Sequence, residues 1–383
     1  MPKHLVLVGG GHAHLTMLAR CRDYVDRGFR VTLISASPYH YYSGMGPGLL
    51  GGVYRPQDVR FHVAKTATDR GAEFIEDRLE RVDAVRRLLH LRSGRTVGYD
   101  IASFNTGSDI ALPPMAGDCD GVFPVKPIVS LLAARRAIIK LLGEGSPEIV
   151  VIGGGPAGLE IAGNVWRLVQ DQARHAHITV IPGVELLSGY PRRVKDLARR
   201  SLLRRGIAVR GGSYVERIEK GAVVLDNGGA QTADIVLVAT GIRPSPLFRD
   251  SGLPVGPDGG LLVNRFLQST VHPELFGGGD AICFGPRPLP KVGVYAVRQN
   301  MVLLRNTLAS LTGSALVPFE PQRDFLLIFN LGDDRAIMTK RGLTWDGWLA
   351  WKLKDRIDRS FMKRFQVSGE RSAPEEEEPH GHP

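Results

Sequence analysis

Ile149-Val150-Val151-Ile152-Gly153-Gly154-Gly155-Pro156-Ala157-Gly158-Leu159-Glu160 is the stretch that decides the fold. Four β-branched apolar residues read as a buried strand, and Gly153-x-Gly155-x-x-Gly158 turns that strand into a helix. The first glycine permits the tight turn, the second lets backbone approach a pyrophosphate, and the third lets helix and strand pack closely. A helix N-terminus also presents unpaired N–H groups and the positive end of its dipole to phosphate. The stretch therefore predicts a dinucleotide site at Gly153, Gly155, Pro156 and Gly158, with Glu160 close to it.

The same design occurs near the N-terminus. His4–Val8 runs into Gly9-Gly10-Gly11, with His12 and Ala13 opening the next helix. Each glycine turn is followed by a helical stretch and a further strand, Val31–Ile34 in one case and Ile178–Ile181 in the other. Two βαβ units of one design in a single chain say more than either alone. The first unit departs from the full fingerprint: His14 replaces the third glycine, and Ser35 stands where an acid would take a ribose. In the second unit Pro182-Gly183 takes the acid's place, which removes a barrier to NADPH. Arg192 and Arg193 either pair a 2′-phosphate or form solvated surface, so the donor preference stays open.

Three further strand ends belong to the pattern. Asn105-Thr106-Gly107 and Ala239-Thr240-Gly241 each close a strand, and Leu275-Phe276-Gly277-Gly278-Gly279-Asp280 sets an acid at a strand end. Asp280 there either bonds a ribityl hydroxyl or caps the following helix.

The bulk numbers fit a soluble globular chain of two or three domains: 383 residues, 43% hydrophobic and 23% charged. A formal charge of +10 suits anionic dinucleotides or an anionic membrane surface. Nucleic acid is not expected, because zinc-finger and recognition-helix signatures are missing. Cys21, Cys119 and Cys283 are too far apart in sequence to form a CxxC pair, so neither a redox dithiol nor a metal site is expected. The N-terminus enters a strand at once and no run approaches ~20 apolar residues, which predicts a cytoplasmic body.

The expected fold is α/β: two Rossmann-like dinucleotide-binding domains, one inserted in the other, plus a small C-terminal α+β region ending in an amphipathic helix. The boundaries read 1–112 and 251–317 for the outer domain, 113–250 for the inserted one, 318–367 for the C-terminal region and 368–383 for a disordered tail.

The order of these motifs over roughly 310 residues resembles the two-dinucleotide-domain flavoproteins, the pyridine nucleotide-disulfide oxidoreductase superfamily, and within it the type II NADH dehydrogenases. The run Gly9–His14, the segment Tyr42-Ser43-Gly44-Met45 and the stretch Lys291–Asn300 are most similar to the flavoprotein domain fused to some selenide water dikinases. The resemblance implies FAD at Gly9, Gly11 and Asp280, with His12, Ala13, Ser35, Gly107, Gly279 and Ala296 around it. It implies NAD(P)H at Gly153, Gly155, Pro156, Gly158 and Gly241, with Glu160 near the nicotinamide face. Hydride would pass from NAD(P)H to FAD and electrons onward to an acceptor, with a quinone as the leading candidate.

Type II dehydrogenases carry AQxAxQ beside the flavin. This chain reads Gly293-Val294-Tyr295-Ala296-Val297-Arg298-Gln299, so only a neighbouring glutamine, Gln299, remains; Glu160, Lys291 and Gln299 are the candidate catalytic residues. Lys291 and Tyr295 either line an acceptor pocket or are a surface lysine and a core tyrosine. Trp345, Leu349, Leu353, Ile357, Phe361 and Phe365 recur every fourth residue among Lys352, Lys354, Arg356, Arg359, Lys363 and Arg364. Such a basic amphipathic helix over 345–365 suits the membrane interface; packing on its own domain or on a second subunit of a homodimer is the alternative. A slow redox-sensing module and a selenium- or sulfur-linked oxidoreductase also remain open.

Overall fold

The computed structural model describes residues 2–117 and 119–372. The first glycine-turn unit comprises β1 (His4–Val8), α1 (Leu15–Ala19), β2 (Arg30–Ser35), β3 (Glu73–Glu76) and β4 (Ile101–Phe104). The chain then supplies β5 (Val122–Pro124), α2 (Ser130–Glu144), β6 (Glu148–Ile152), α3 (Pro156–Asp171), β7 (His177–Ile181), α4 (Arg192–Arg204), β8 (Ala208–Val209) and β9 (Ile235–Val238). It returns through β10 (Leu275–Gly277) and α5 (Gly293–Thr312). Three antiparallel strands, β11 (Leu327–Asn330), β12 (Ala336–Lys340) and β13 (Leu343–Gly347), lead into α6 (Trp348–Phe365).

Both main sheets are parallel and five-stranded, with order β10-β4-β1-β2-β3 in one and β5-β9-β6-β7-β8 in the other. The α/β class and the paired Rossmann-like units of the sequence reading are therefore present. Parallel sheets covered on both faces need strands apolar on both sides, and β1 and β9 are buried at every position. Asp109–Ile110 and Ile242–Arg243, where the chain crosses between the units, pair as a short antiparallel ribbon. The C-terminal region touches both units: Gly163 of α3 comes so close to the Leu331 carbonyl that a Cβ would sit 2.1 Å from it, while Met362 and Phe365 of α6 join the core around Phe61.

Two expectations for the C-terminal part are corrected. Trp345 lies on β13, and the helix starts at Trp348. Residues Ser368 and Glu370, assigned to a disordered tail, are docked instead. Glu370 Oε1 accepts the His62 N–H at 3.2 Å, and the Ser368 hydroxyl pairs with that of Thr66 at 3.0 Å. The rest of that tail, including the acidic run 375–378, lies outside the described residues.

The apolar stripe also divides. Leu349, Leu353 and Ile357 are exposed, with Trp348 beside them, whereas Phe365 is buried. A four-residue repeat gains about 40° per step on a helix of 3.6 residues per turn, so Leu349 and Phe365 end up about 160° apart. Period four cannot keep one face.

Candidate active site

A cleft of about 1410 Å³ lies between the two units and runs along both glycine turns. Gly9, Gly11, His12, Ser35, Gly107, Gly279, Asp280, Lys291 and Ala296 line it from one side, and Gly153, Gly155, Pro156 and Gly241 from the other. Ala13, Gly158, Glu160 and Gln299 are not among its lining residues. The cleft sits outside the C-terminal ends of parallel strands, where open α/β sheets bind ligands.

The first turn is built around Asn105, which sequence reasoning quoted but gave no role. Its Oδ1 accepts the Ala13 N–H at 3.0 Å, and its Nδ2 donates to the Gly278 carbonyl at 2.8 Å. Gly9, at φ +87°, would place a Cβ 2.3 Å from the Asn105 carbonyl, and Gly11 a Cβ 2.3 Å from Asn105 Oδ1. His14 fills the place of the third glycine. Its Nδ1 donates to the Gly9 carbonyl at 2.7 Å, which leaves Nε2 to accept the Ser103 hydroxyl at 2.8 Å. Burial lowers its pKa to about 4, so the ring stays neutral.

Asp280 caps no helix. Its carboxylate receives the Lys126 ammonium at 2.8 Å and the Ser108 hydroxyl at 2.9 Å at the cleft wall. Lys126 was missed by the sequence reading, because nothing local to the Val125-Lys126-Pro127 stretch marks it; it reaches Asp280 across 154 residues. Lys291 lines the cleft, with its ammonium held by Asp258 at 2.8 Å and by the Ile282 carbonyl. Gln299 is buried and accepts the Gly279 N–H at 2.7 Å. That contact orients the turn carrying Asp280. Tyr295 is a buried core residue whose hydroxyl donates to the Gln322 carbonyl at 3.3 Å. The N-terminus of α5 opens on the cleft at Val292 and Gly293 without a side-chain cap, which leaves the positive end of its dipole facing inward.

The second turn is simpler. Gly153, at φ +139°, would drive a Cβ to 2.2 Å from the Ala239 carbonyl, and Gly158 to 2.0 Å from the Gly153 carbonyl. Gly155 faces open space, as do Gly107 and Gly241. Arg192 and Arg193 are exposed and absent from the cleft lining, while Glu185 is paired with Lys195 at 2.8 Å.

Glu160 turns away from the glycine turn toward the C-terminal region. Its Oε1 accepts the Asn330 N–H at 2.7 Å. Desolvation raises its pKa to about 7, against the opposing pull of Lys354 and of that hydrogen bond. Lys354 of α6 donates to Asp358 at 2.7 Å and to the Gly44 carbonyl at 2.7 Å, and Tyr42 donates to Asp358 at 3.0 Å. The last helix is thereby hooked to the Tyr42–Gly44 segment, whose Ser43 lines the cleft. Cys21 is buried with its thiol pushed up to about 12 by burial, and none of the three cysteines lines the cleft.

Two Rossmann-like units that face one cleft with paired glycine turns define a two-dinucleotide oxidoreductase. The chain belongs to the pyridine nucleotide-disulphide oxidoreductase family, which it matches over residues 3–300. It is 26% identical over 324 residues to an NADH oxidase of Methanocaldococcus jannaschii, covering 79% of this chain and 69% of that one. It is 20% identical over 360 residues to the NADH dehydrogenase-like protein YutJ of Bacillus subtilis, covering 90% and 98%. Among solved structures, the sulfide:quinone oxidoreductase of Aquifex aeolicus superposes with a TM-score of 0.78 at 18% identity, over 95% of this chain and 91% of that one, an agreement of fold.

The cofactors of this oxidoreductase are FAD and NAD(P)H, and the site fits both. Open space over Gly155 and Gly241 is a cradle that a Cβ would fill. On the other side, the uncapped α5 N-terminus and the Asp280 carboxylate supply the polar groups a flavin nucleotide needs.

Proposed function

We propose that this chain is an NAD(P)H:quinone oxidoreductase that works at a membrane surface through α6. The supporting observation is the two-sidedness of that helix. Outward it shows Trp348, Leu349, Leu353 and Ile357 among the exposed Lys352, Arg356, Arg359, Lys363 and Arg364. Inward it presents Lys354, Asp358 and Phe361 to residues that border the cleft. No described helix is long and apolar enough to cross a membrane, so surface attachment is the geometry that would bring a lipid-soluble acceptor to the site.

Bound FAD supplies two-electron exchange between nicotinamide and acceptor. Gly9, Gly11, Asn105 and the α5 N-terminus would hold the flavin nucleotide, and Asp280, fixed by Lys126 and Ser108, would orient its ribityl chain. Gly153, Gly155 and the N-terminus of α3 would hold the pyrophosphate of NAD(P)H. Glu160, poised near pH 7, holds or releases a proton on the α6 side of the site. A dithiol route has no residues to carry it.

Anaerobic rapid mixing tests this reading. Bleaching of bound flavin by NADH or NADPH, then rapid reoxidation by a soluble quinone, is expected, with the protein sedimenting with anionic vesicles and a triple Leu349→Glu, Leu353→Glu, Ile357→Glu variant staying in solution. A flavin that nicotinamide bleaches but no quinone reoxidises would overturn the acceptor.

A further inference from the structure

The wall of the cleft holds a pair of imidazoles, His12 and His40, whose proton chemistry the expected FAD contact at His12 leaves unexplained. His12 is only 8% exposed, yet it lines the cleft, and its Nε2 has no partner among the described residues. Its Nδ1 lies 3.4 Å from Nε2 of His40, which lines the cleft as well. The two rings meet edge-on, 5.0 Å apart. Aromatic rings close the other sides: Phe361 of α6 stacks on His12 at 5.9 Å, Tyr42 leans on it at 5.2 Å, and Phe61 stacks on His40 at 6.2 Å. A buried ring nitrogen without a partner is costly, and here the free nitrogen belongs to a group that can both take and give a proton.

We propose that His12 and His40 form a proton relay that opens into the cleft at His12 Nε2 and protonates the reduced acceptor; this rests on the quinone reading above. The need follows from the balance of the reaction. NAD(P)H gives up a hydride, that is two electrons and one proton, whereas a quinone becoming a quinol takes two electrons and two protons. One proton per turnover must enter from elsewhere. With His40 Nε2–H donating to His12 Nδ1, His12 carries its hydrogen on Nε2. The His12 Nε2–H bond breaks as an O–H bond forms on the acceptor, and His40 passes its Nε2 proton to His12 Nδ1. In the same concerted step a solvent proton adds to His40 at Nδ1, so neither ring changes its net charge. Both hydrogens then lie on Nδ1, and proton exchange with solvent between turnovers returns them to Nε2; no electrons pass through the pair.

The surroundings favour neutral rings, as such a relay requires. Burial first, then the charge of Lys126, lowers the His12 pKa to about 4, and burial, His12 and Lys126 lower that of His40. The titratable groups around the pair are therefore Lys126, whose charge is shared with Asp280, and Tyr42, whose hydroxyl is held by Asp358 of α6. Phe361 adds only an apolar face. A neutral imidazole donates from one nitrogen while accepting at the other, which no carboxylate or ammonium nearby can match.

The test separates electron transfer from proton transfer. FAD-loaded protein, reduced with dithionite so that nicotinamide is bypassed, is mixed with a soluble quinone or with ferricyanide, which takes electrons without protons. His40→Gln is expected to slow quinone reoxidation by about a hundredfold and ferricyanide reoxidation by less than about threefold, with FAD affinity retained and free imidazole restoring part of the rate. His40→Asn should behave alike and serves if the first variant does not fold. Independently, ¹⁵N-histidine spectra of the FAD-loaded protein should show His12 neutral with hydrogen on Nε2 between about pH 5.5 and 8. Equal rates for wild type and variants, equal slowing with both oxidants, or a charged or Nδ1–H ring at His12 overturns the relay alone. A wild type that ferricyanide oxidises and quinone does not overturns the acceptor reading and the relay with it.

Discussion

The two glycine turns of this chain look like copies, yet their glycines are required for different reasons. Gly9 and Gly153 are equivalent: each has positive φ, and each abuts a carbonyl of the neighbouring strand, that of Asn105 at 2.3 Å and that of Ala239 at 2.2 Å from a built Cβ. The next motif glycine differs. Gly11 is pressed against the side chain of Asn105, so the protein itself fills the space, whereas Gly155 faces nothing within 4 Å and leaves room for a ligand. At the third position Gly158 lets α3 touch the turn, while His14 ties the turn to Ser103 with two hydrogen bonds. One unit is shaped by its own side chains and the other by the molecule it receives. A motif records a backbone path, not the reason for it.

The sharpest way to break that contrast is to put the same methyl group into both turns. Gly9→Ala combines positive φ with a clash against backbone, so a loss of at least about 3 kcal/mol of stability and of retained FAD is expected. Gly155→Ala should melt like wild type and keep its flavin, while the KM for NAD(P)H rises about tenfold, some 1.4 kcal/mol. Thermal melts and nicotinamide titrations decide it; equal losses of stability in the two variants would erase the distinction.

Asn105→Ala comes next, because it strips the first turn of a support that Ala239 shows the second does without. Losing two buried hydrogen bonds should cost about 2 kcal/mol in urea unfolding and weaken FAD. A change below about 0.5 kcal/mol would mean that the amide is incidental.

The smallest expected effect is the most counter-intuitive. His14→Gly completes the glycine fingerprint, yet it should destabilise the fold by about 1–2 kcal/mol at pH 7, because the Ser103 hydroxyl loses its buried partner. The pH dependence carries a sign. His14 titrates near 4 when folded and near 6.5 when unfolded, so the unfolded chain binds more protons between those values. Stability falls as pH drops through 6.5 and levels off below about 4. In the glycine variant the part of this slope due to His14 should vanish; an unchanged slope from pH 7 to 5 would assign it to other groups, among them His12.

Much of this was legible in one sequence because the decisive signals are local. A β-branched run followed by Gly-x-Gly sets strand, turn and helix within a dozen residues, and both units and their cleft followed from it. What escaped reading depends on distance. Lys126 meets Asp280, and Asn105 meets Gly278, across more than 150 residues, and no local pattern marks either partner. Lys291 and Gln299 were named from their neighbourhood in sequence, which gives no sign of the contacts with Asp258 and the Gly279 backbone that the fold supplies. The period-four stripe misled for a geometric reason: helical drift turns its two ends to different surroundings, one to solvent and one to the core.

The short ribbon that joins Asp109–Ile110 to Ile242–Arg243 has a consequence for how such a chain can be assembled. A guest that leaves and re-enters its host through two hydrogen-bonded neighbours presents its ends side by side. Joining Ile110 to Ile242 through a two-residue turn would close the host with a tight hairpin, and the segment between them could be handled as a cassette, swapped for one of another nucleotide preference without retracing the host's own strands.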